Sequence, residues 1–395
     1  MESGLSQVII LTTAFESMGG TQRWANRMAN EFDSRGLRVS LVGLNASPNP
    51  YPYGLAQSVE TTHCFEGGSR AARWNGGIVR RTLAKVRDRI APDWRPRALN
   101  AAAVERLDAV LHARDTASAV LCADHVIMEY LMATPSFLEG RTPPIVVIDQ
   151  STFTRAESSR ILRQRMVRSY SAADMLVVLT DADAAYFRSL GINTVDVISN
   201  PTPPVRPESG AERPAVAVTM GRLEKEKAPQ WAISAWHGVL ENHPDWTLRV
   251  HGEGSMRAEL EAQIDKLGLR HAVTLAGRSE SPADDLANAS IHLLTSQFEG
   301  IPLVIGEASA VGTPTIAFAC SDGVVSQIRD GETGLLVAPN DLEGLIAAIE
   351  RLIEDPALRA DMGDAARASV KANSIETIAD QWLAILRDLA EGATE

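Results

Sequence analysis

Two glutamates eight residues apart stand in the run Phe298-Glu299-Gly300-Ile301-Pro302-Leu303-Val304-Ile305-Gly306-Glu307-Ala308. A carboxylate accepts from two donors at once, so such a pair can grip the hydroxyls of a sugar. Pro302 is expected at the first helical position, with Glu307 one to two turns inside the helix. The free N–H groups of a helix start favour phosphate, so the two carboxylates would flank an anion site. The same residues also suit a capped surface helix with two solvated glutamates.

Upstream, Met220-Gly221-Arg222-Leu223-Glu224-Lys225-Glu226-Lys227 follows an apolar run. Arg222 and Lys227 would leave the carboxyl end of a strand, where open α/β sheets bind ligands, and an Arg fork plus a Lys point charge can clamp a diphosphate. A solvated charge run is the alternative. Gly19-Gly20, between Val8–Leu11 and a helix opening at Thr21, could bring backbone N–H groups to an anion, or be a plain strand-to-helix loop. In His251-Gly252-Glu253-Gly254 the third glycine of a dinucleotide fingerprint is missing, because position 257 is Arg. That disfavours a nicotinamide enzyme.

These residues need a frame that aligns strand ends. Apolar runs at Val8–Leu11, Val39–Val42, Ala119–Leu121, Ile145–Ile148, Leu176–Leu179 and Val195–Ile198 read as strands, with helical patterns such as Thr21–Arg35 and Arg160–Ala173 between them. Ala215–Met220, Thr247–His251, Val273–Ala276, Ile291–Leu294, Thr315–Phe318 and Leu335–Val337 repeat the plan. Strand–helix alternation implies parallel sheets with helices on both faces. The expected architecture is α/β, two Rossmann-like doubly wound domains facing across a cleft. The segment 201–214, within a run of five prolines from Asn200 to Pro214, reads as the linker. It separates a domain of residues 1–200 from one of residues 215–375, and a helix near 376–391 is expected to pack back on the first.

The length of 395 residues fits about two domains. Residues 1–200 hold 22 basic and 20 acidic side chains, and residues 201–395 hold 16 and 30. A net charge of −12 argues against nucleic acid as the main partner. Cys64, Cys122 and Cys320 are odd in number and far apart, which suits a reducing cytoplasm rather than a disulfide framework. The first twenty residues lack the pattern of a signal peptide, and no apolar run approaches membrane-spanning length. A cytoplasmic protein is expected.

Taken together, Gly221-Arg222-Leu223-x3-Lys227, Val250-His251-Gly252-Glu253-Gly254 and Glu299-Gly300-Ile301-Pro302-Leu303-x3-Glu307-Ala308-x-Ala310-x-Gly312-x-Pro314 resemble the retaining glycosyltransferases of family 4, which have the GT-B fold. The likeness runs on through Gly323 to Asp330-Gly331-Glu332-Thr333-Gly334 and Pro339, and reaches back to Met18-Gly19-Gly20-Thr21 and Asn200-Pro201. It implies that Arg222 and Lys227 hold the diphosphate of a nucleotide sugar, that Glu299 contacts sugar hydroxyls, and that Glu307 binds the ribose. Backbone amides of Gly300, Ile301, Leu303 and Val304 would cover sugar and phosphate. Arg278 would frame the base, and Gly19, Gly20 and Gly252 complete the donor-binding set. Uridine is the expected base, and no cofactor beyond the donor is implied.

One departure stands out. Many members of the family carry a His after the strand matching Ile145–Ile148, and here the stretch reads Asp149-Gln150-Ser151-Thr152. Gln150 can donate to a sugar hydroxyl but cannot shuttle a proton. His125, after another strand, is the alternative, and a satisfied core or surface histidine is at least as good a reading of it. Asp181-Ala182-Asp183 resembles the metal-binding motif of a different glycosyltransferase fold, but Asp181 is expected to cap a helix instead. No metal is expected. Arg70–Arg97 carries nine Lys/Arg against Asp88 and Asp93, and reads as a basic amphipathic helix for an anionic membrane or a phosphate-bearing acceptor, or as an ordinary solvated helix.

The expected function is metal-independent, retaining transfer of a hexose from a UDP-sugar to a glycan, lipid-linked or phosphate-bearing acceptor, such as a cell-envelope component. Contact with the inner face of the membrane stays open. The alternatives are a GT-B sugar-nucleotide epimerase and a non-catalytic sugar-nucleotide-binding protein.

Overall fold

The structure is a computed structural model that describes residues 5–17, 19–65, 100–114, 117–151, 153–206 and 213–392. The basic stretch 70–97, Met18, Thr152 and residues 207–212 of the expected linker lie outside the described residues. Contacts divide the chain into two units, Met1–Ile198 with Ala379–Glu395, and Ser199–Ile378.

The first unit holds a seven-stranded sheet of β1 (Gln7–Thr12), β2 (Arg38–Asn45), β3 (Glu60–Phe65), β4 (Ser118–Cys122), β5 (Ile145–Asp149), β6 (Met175–Val178) and β7 (Val195–Val197). Its order is β3-β2-β1-β4-β5-β6-β7, with every pairing parallel. The inner strands are buried end to end and mostly apolar because helices cover both faces. Strand β3 escaped the sequence reading because it is an edge strand, Glu-Thr-Thr-His-Cys-Phe, with its first three residues exposed. The last helix, Ile375–Gly392, brings Trp382 edge-on against Trp24 at 5.6 Å, both fully buried in the first unit.

The second unit holds β8 (Val216–Met220), β9 (Thr247–His251), β10 (Val273–Gly277), β11 (Ile291–Leu294), β12 (Thr315–Phe318) and β13 (Gly334–Val337) in the order β10-β9-β8-β11-β12-β13. All pairings are again parallel. One face packs Trp236, Val239, Leu345 and Leu352 over the sheet; the other packs Leu286, Ala308 and Val311 on Val216 and Val218. In each sheet the strand order reverses once, between β1 and β4 and between β8 and β11. Those reversals open crevices at the carboxyl ends of the strands, which is where such sheets hold ligands. Among the described residues no helix is long and apolar enough to cross a membrane.

Candidate functional site

At the second reversal three loops are stitched together through backbone. Gly221 N donates to His251 O at 3.0 Å, Leu223 N to Glu253 O at 2.9 Å, and Gly252 N to Gly277 O at 2.7 Å. Gly252 has φ +143°, and a Cβ there would lie 1.8 Å from Gly221 O; one at Gly254 would lie 2.4 Å from Leu223 O. The two glycines therefore let the loop after β9 press on the loop after β8, which fixes where Arg222 and Lys227 begin. Ala228, fully buried with φ +46°, sits in the left-handed region just before Pro229, and its carbonyl accepts from Thr295 Oγ1 at 3.1 Å. A non-glycine residue held there stores strain of about 1 kcal/mol or more, which the surrounding packing must enforce.

That turn aims Lys227 at the end of β11. Its Nζ donates to Glu299 Oε1 at 2.6 Å and Oε2 at 2.7 Å, and Ser296 Oγ donates to Oε1 at 2.6 Å. Glu299 is buried, and these three bonds occupy its carboxylate oxygens. Cys320 lies within the field of the pair. Its thiol is pushed up to about 11 by burial and by Glu299, with Lys227 opposing. Arg222 instead reaches outward to Glu226 Oε1 at 2.7 Å, with more than half of its side chain exposed.

The helix Leu303–Ala310 starts beside Glu299, and no side chain caps it. Pro302 is its N-cap, extended at ψ 118°, rather than its first helical residue. Gly300 is held close to the helix Asp322–Val325, because Gly323 leaves room where a Cβ would stand 2.0 Å from Gly300 O. Ile301, Leu303 and Val304 are half-buried along this start, and Glu307 is buried one turn further in. Arg278 is exposed, directly after Gly277 at the end of β10.

Arg222, Lys227, Thr219, His251 and Ser296 line one pocket at the ends of β8, β9 and β11. His251 was not singled out in sequence, where it is one letter of a glycine motif. It is buried, neither ring nitrogen has a hydrogen-bond partner among the described residues, and Asp285 Oδ2 stands 3.6 Å from Nδ1. Burial lowers its pKa, Asp285 opposes that, and Arg249 reinforces it.

The corresponding ends of the first sheet are closed by local bonds. Gly19 N donates to Tyr53 Oη at 3.0 Å, and that hydroxyl donates to Ser17 O at 2.9 Å; Gly20 begins the helix Gly20–Ser34. His125 is buried as the first residue of the helix His125–Leu131, which Asp124 caps. Gln150 follows β5 half-buried, and its Nε2 has no partner among the described residues. Asp149, the last residue of β5, is buried and accepts from Ser151 N at 2.8 Å. Burial pushes its carboxyl up to about 6, against its bonds to Ser151 and Tyr170. It was missed because nothing local marks an acid at the end of an apolar strand.

The Asp181 expectation is corrected. The N-cap is Thr180, whose Oγ1 accepts from Asp183 N at 3.0 Å, while Asp183 accepts from that hydroxyl and from Phe153 N at 2.8 Å. The second carboxylate of the motif thus braces the capping hydroxyl, and Asp181 stands exposed in the first turn.

Residues 203–369 match the family model of the glycosyl transferases group 1. That segment is similar to the group 1 glycosyltransferases over its whole matched length. It contains Arg222, Lys227, Glu299 and Glu307, and all six strands of the second sheet. The chain is 37% identical over 223 residues to an exopolysaccharide phosphotransferase of Streptomyces coelicolor, which covers 55% of this chain and 24% of that one. It is 25% identical over 392 residues to the amylovoran biosynthesis glycosyltransferase AmsD of Erwinia amylovora, covering 96% of this chain and 99% of the relative. The chain thus spans about a quarter of the first relative's length and nearly all of the second's. Among solved structures, a mutant of S. aureus TarM in complex with fondaparinux, alpha-GlcNAc-glycerol and UDP superposes with a TM-score of 0.78 at 14% identity, over 97% of this chain and 100% of that one. The fold is GT-B, two Rossmann-like domains, with the segment that matches the family model in the second.

Proposed function

We propose that this protein transfers a hexose with retention from a UDP-sugar to a glycan, lipid-linked or phosphate-bearing acceptor, without a metal ion or a further cofactor. The observation that carries the reading is the pair of half-buried Lys227 and buried Glu299 at the end of β11, beside an uncapped helix start in the segment that matches the group 1 family. Lys227 and Arg222 would take the diphosphate, releasing the oxygens of Glu299 to accept from sugar hydroxyls. Glu307 would hold the ribose, and the backbone from Gly300 to Val304 would cover the phosphate from the helix start. Arg278 would border the base.

The chemistry asked of these groups is electrostatic. As the glycosidic bond breaks, charge grows on the leaving diphosphate, and preorganised cations and N–H groups stabilise it more than they stabilise the ground state. Attack from the same face as departure gives retention without a covalent protein intermediate. On the acceptor side, Gln150 fits better than His125, because its Nε2 has no partner among the described residues whereas His125 is locked into a helix start. The relatives named above for exopolysaccharide and amylovoran work support an envelope-type glycan as acceptor.

A panel of nucleotide sugars assayed for nucleotide release, with and without glycan and polyol-phosphate acceptors, tests this. Acceptor-dependent UDP release that persists in EDTA is expected. Turnover of donor alone would point to an epimerase, and UDP binding without release from any donor would point to a binding protein.

A further inference from the structure

His251 is an anomaly within the donor pocket. It is 7% exposed, yet neither Nδ1 nor Nε2 finds a hydrogen-bond partner among the described residues. Buried polar groups are nearly always paired, so an idle imidazole facing a pocket is poised for something that is not protein. Asp285, on the helix Pro282–Ala287, stands 3.6 Å from Nδ1, too far for a bond, and already accepts from Ser279 Oγ.

The other charges facing the ring are cationic or already paired. Arg249 lies two residues back on β9 and holds the ring towards neutrality. Arg222 and Lys227 share the pocket from the loop after β8, but are engaged by Glu226 and Glu299. Glu253, in the loop after β9, pairs with Arg257. Without a ligand, burial therefore favours the neutral ring. An entering diphosphate would reverse that balance, since it brings several negative charges to a site of low dielectric.

We propose that His251 is a proton-taking phosphate ligand: on donor binding its ring gains one proton from solvent and donates an N–H to a diphosphate oxygen. No covalent bond of the donor changes in this step, and the proton returns to solvent when the nucleotide leaves. The inference rests on the donor-site reading above.

Calorimetry of UDP binding near pH 7, in two buffers of different ionisation enthalpy, tests it. UDP's own terminal phosphate titrates alike in both proteins, so wild type minus His251→Gln is the readout. Wild type should take up about half a proton more per UDP than the variant. Its affinity should also fall more steeply between pH 6 and pH 8, by roughly tenfold relative to the variant. If the variant does not fold, wild type alone suffices: histidine side-chain NMR at the same pH should show one imidazole change from neutral to charged on adding UDP. UDP binding with equal proton exchange in both proteins, or with no imidazole changing state, overturns the inference and leaves the donor reading standing. Failure of wild type to bind UDP overturns both.

Discussion

The two glycine loops of this protein look alike in sequence and do opposite things. At Gly19 the N–H is already spent on Tyr53, the backbone is extended, and an added Cβ would meet the flexible end of Gln22. At Gly252 the backbone is in the left-handed half of the map, and an added Cβ would run into the carbonyl of Gly221. The first is a strand-to-helix loop with its donor satisfied; the second is a hinge point on which the loops after β8, β9 and β10 converge. The same contrast holds for the acids nearby. Asp149 and Asp183 in the first domain accept from backbone N–H and hydroxyl groups that hold local structure, whereas Glu299 in the second accepts from a lysine 72 residues away that a ligand could claim. A glycine or a carboxylate at a strand end becomes informative only when its bonding partners are known.

The largest effect should come from Gly252→Ala, which needs both a left-handed φ and a carbonyl to move. Loss of more than about 4 kcal/mol, or no folded second domain, is expected from chemical denaturation. Lys227→Ala comes next. It strands the buried carboxylate of Glu299 and should destabilise by about 3 kcal/mol while abolishing transfer, so an unchanged melting temperature would mean that Glu299 finds another partner.

A subtler contrast concerns Asp149, whose carboxyl is pushed up to about 6 by burial. A carboxyl raised above its unfolded value of about 3.9 favours the fold fully at low pH and loses that contribution as pH rises through about 6. Asp149→Asn keeps an oxygen for Ser151 and should match wild type near pH 4, yet exceed it by on the order of 2 kcal/mol near pH 7.5. Parallel stability curves over that range would show that the burial is relieved. The smallest effect belongs to Gly19→Ala, expected within about 0.5 kcal/mol of wild type by the same denaturation.

Much of the fold is legible in sequence because central parallel strands are buried on both faces and so appear as short apolar runs. Ile291–Leu294 and Thr315–Phe318 match β11 and β12 residue for residue. Glu60–Phe65 was hidden because an edge strand keeps polar residues. Thr180 rather than Asp181 caps its helix because the cap is decided by which side chain reaches the third N–H, a matter of one position in phase. The glutamates and cations of the second domain stand out by type and spacing. Their pairing does not, because Lys227 meets Glu299 only through the turn at Ala228, and His251 becomes visible only when its lack of partners can be seen.

The central claim is that Glu299 and Glu307, alike in sequence, attend different halves of one donor. UDP affinity and acceptor-dependent turnover, measured together for Glu299→Gln and Glu307→Gln, test it most directly. An interaction made mainly near the transition state appears in turnover, and one made equally throughout appears in affinity. Glu299→Gln should bind UDP within about threefold of wild type and lose transfer by roughly a hundredfold or more, the scale of one lost charge-assisted contact. Glu307→Gln should weaken UDP itself by about tenfold. Two variants with the same profile, or a Glu299 variant that loses UDP and keeps its rate, would contradict the assignment.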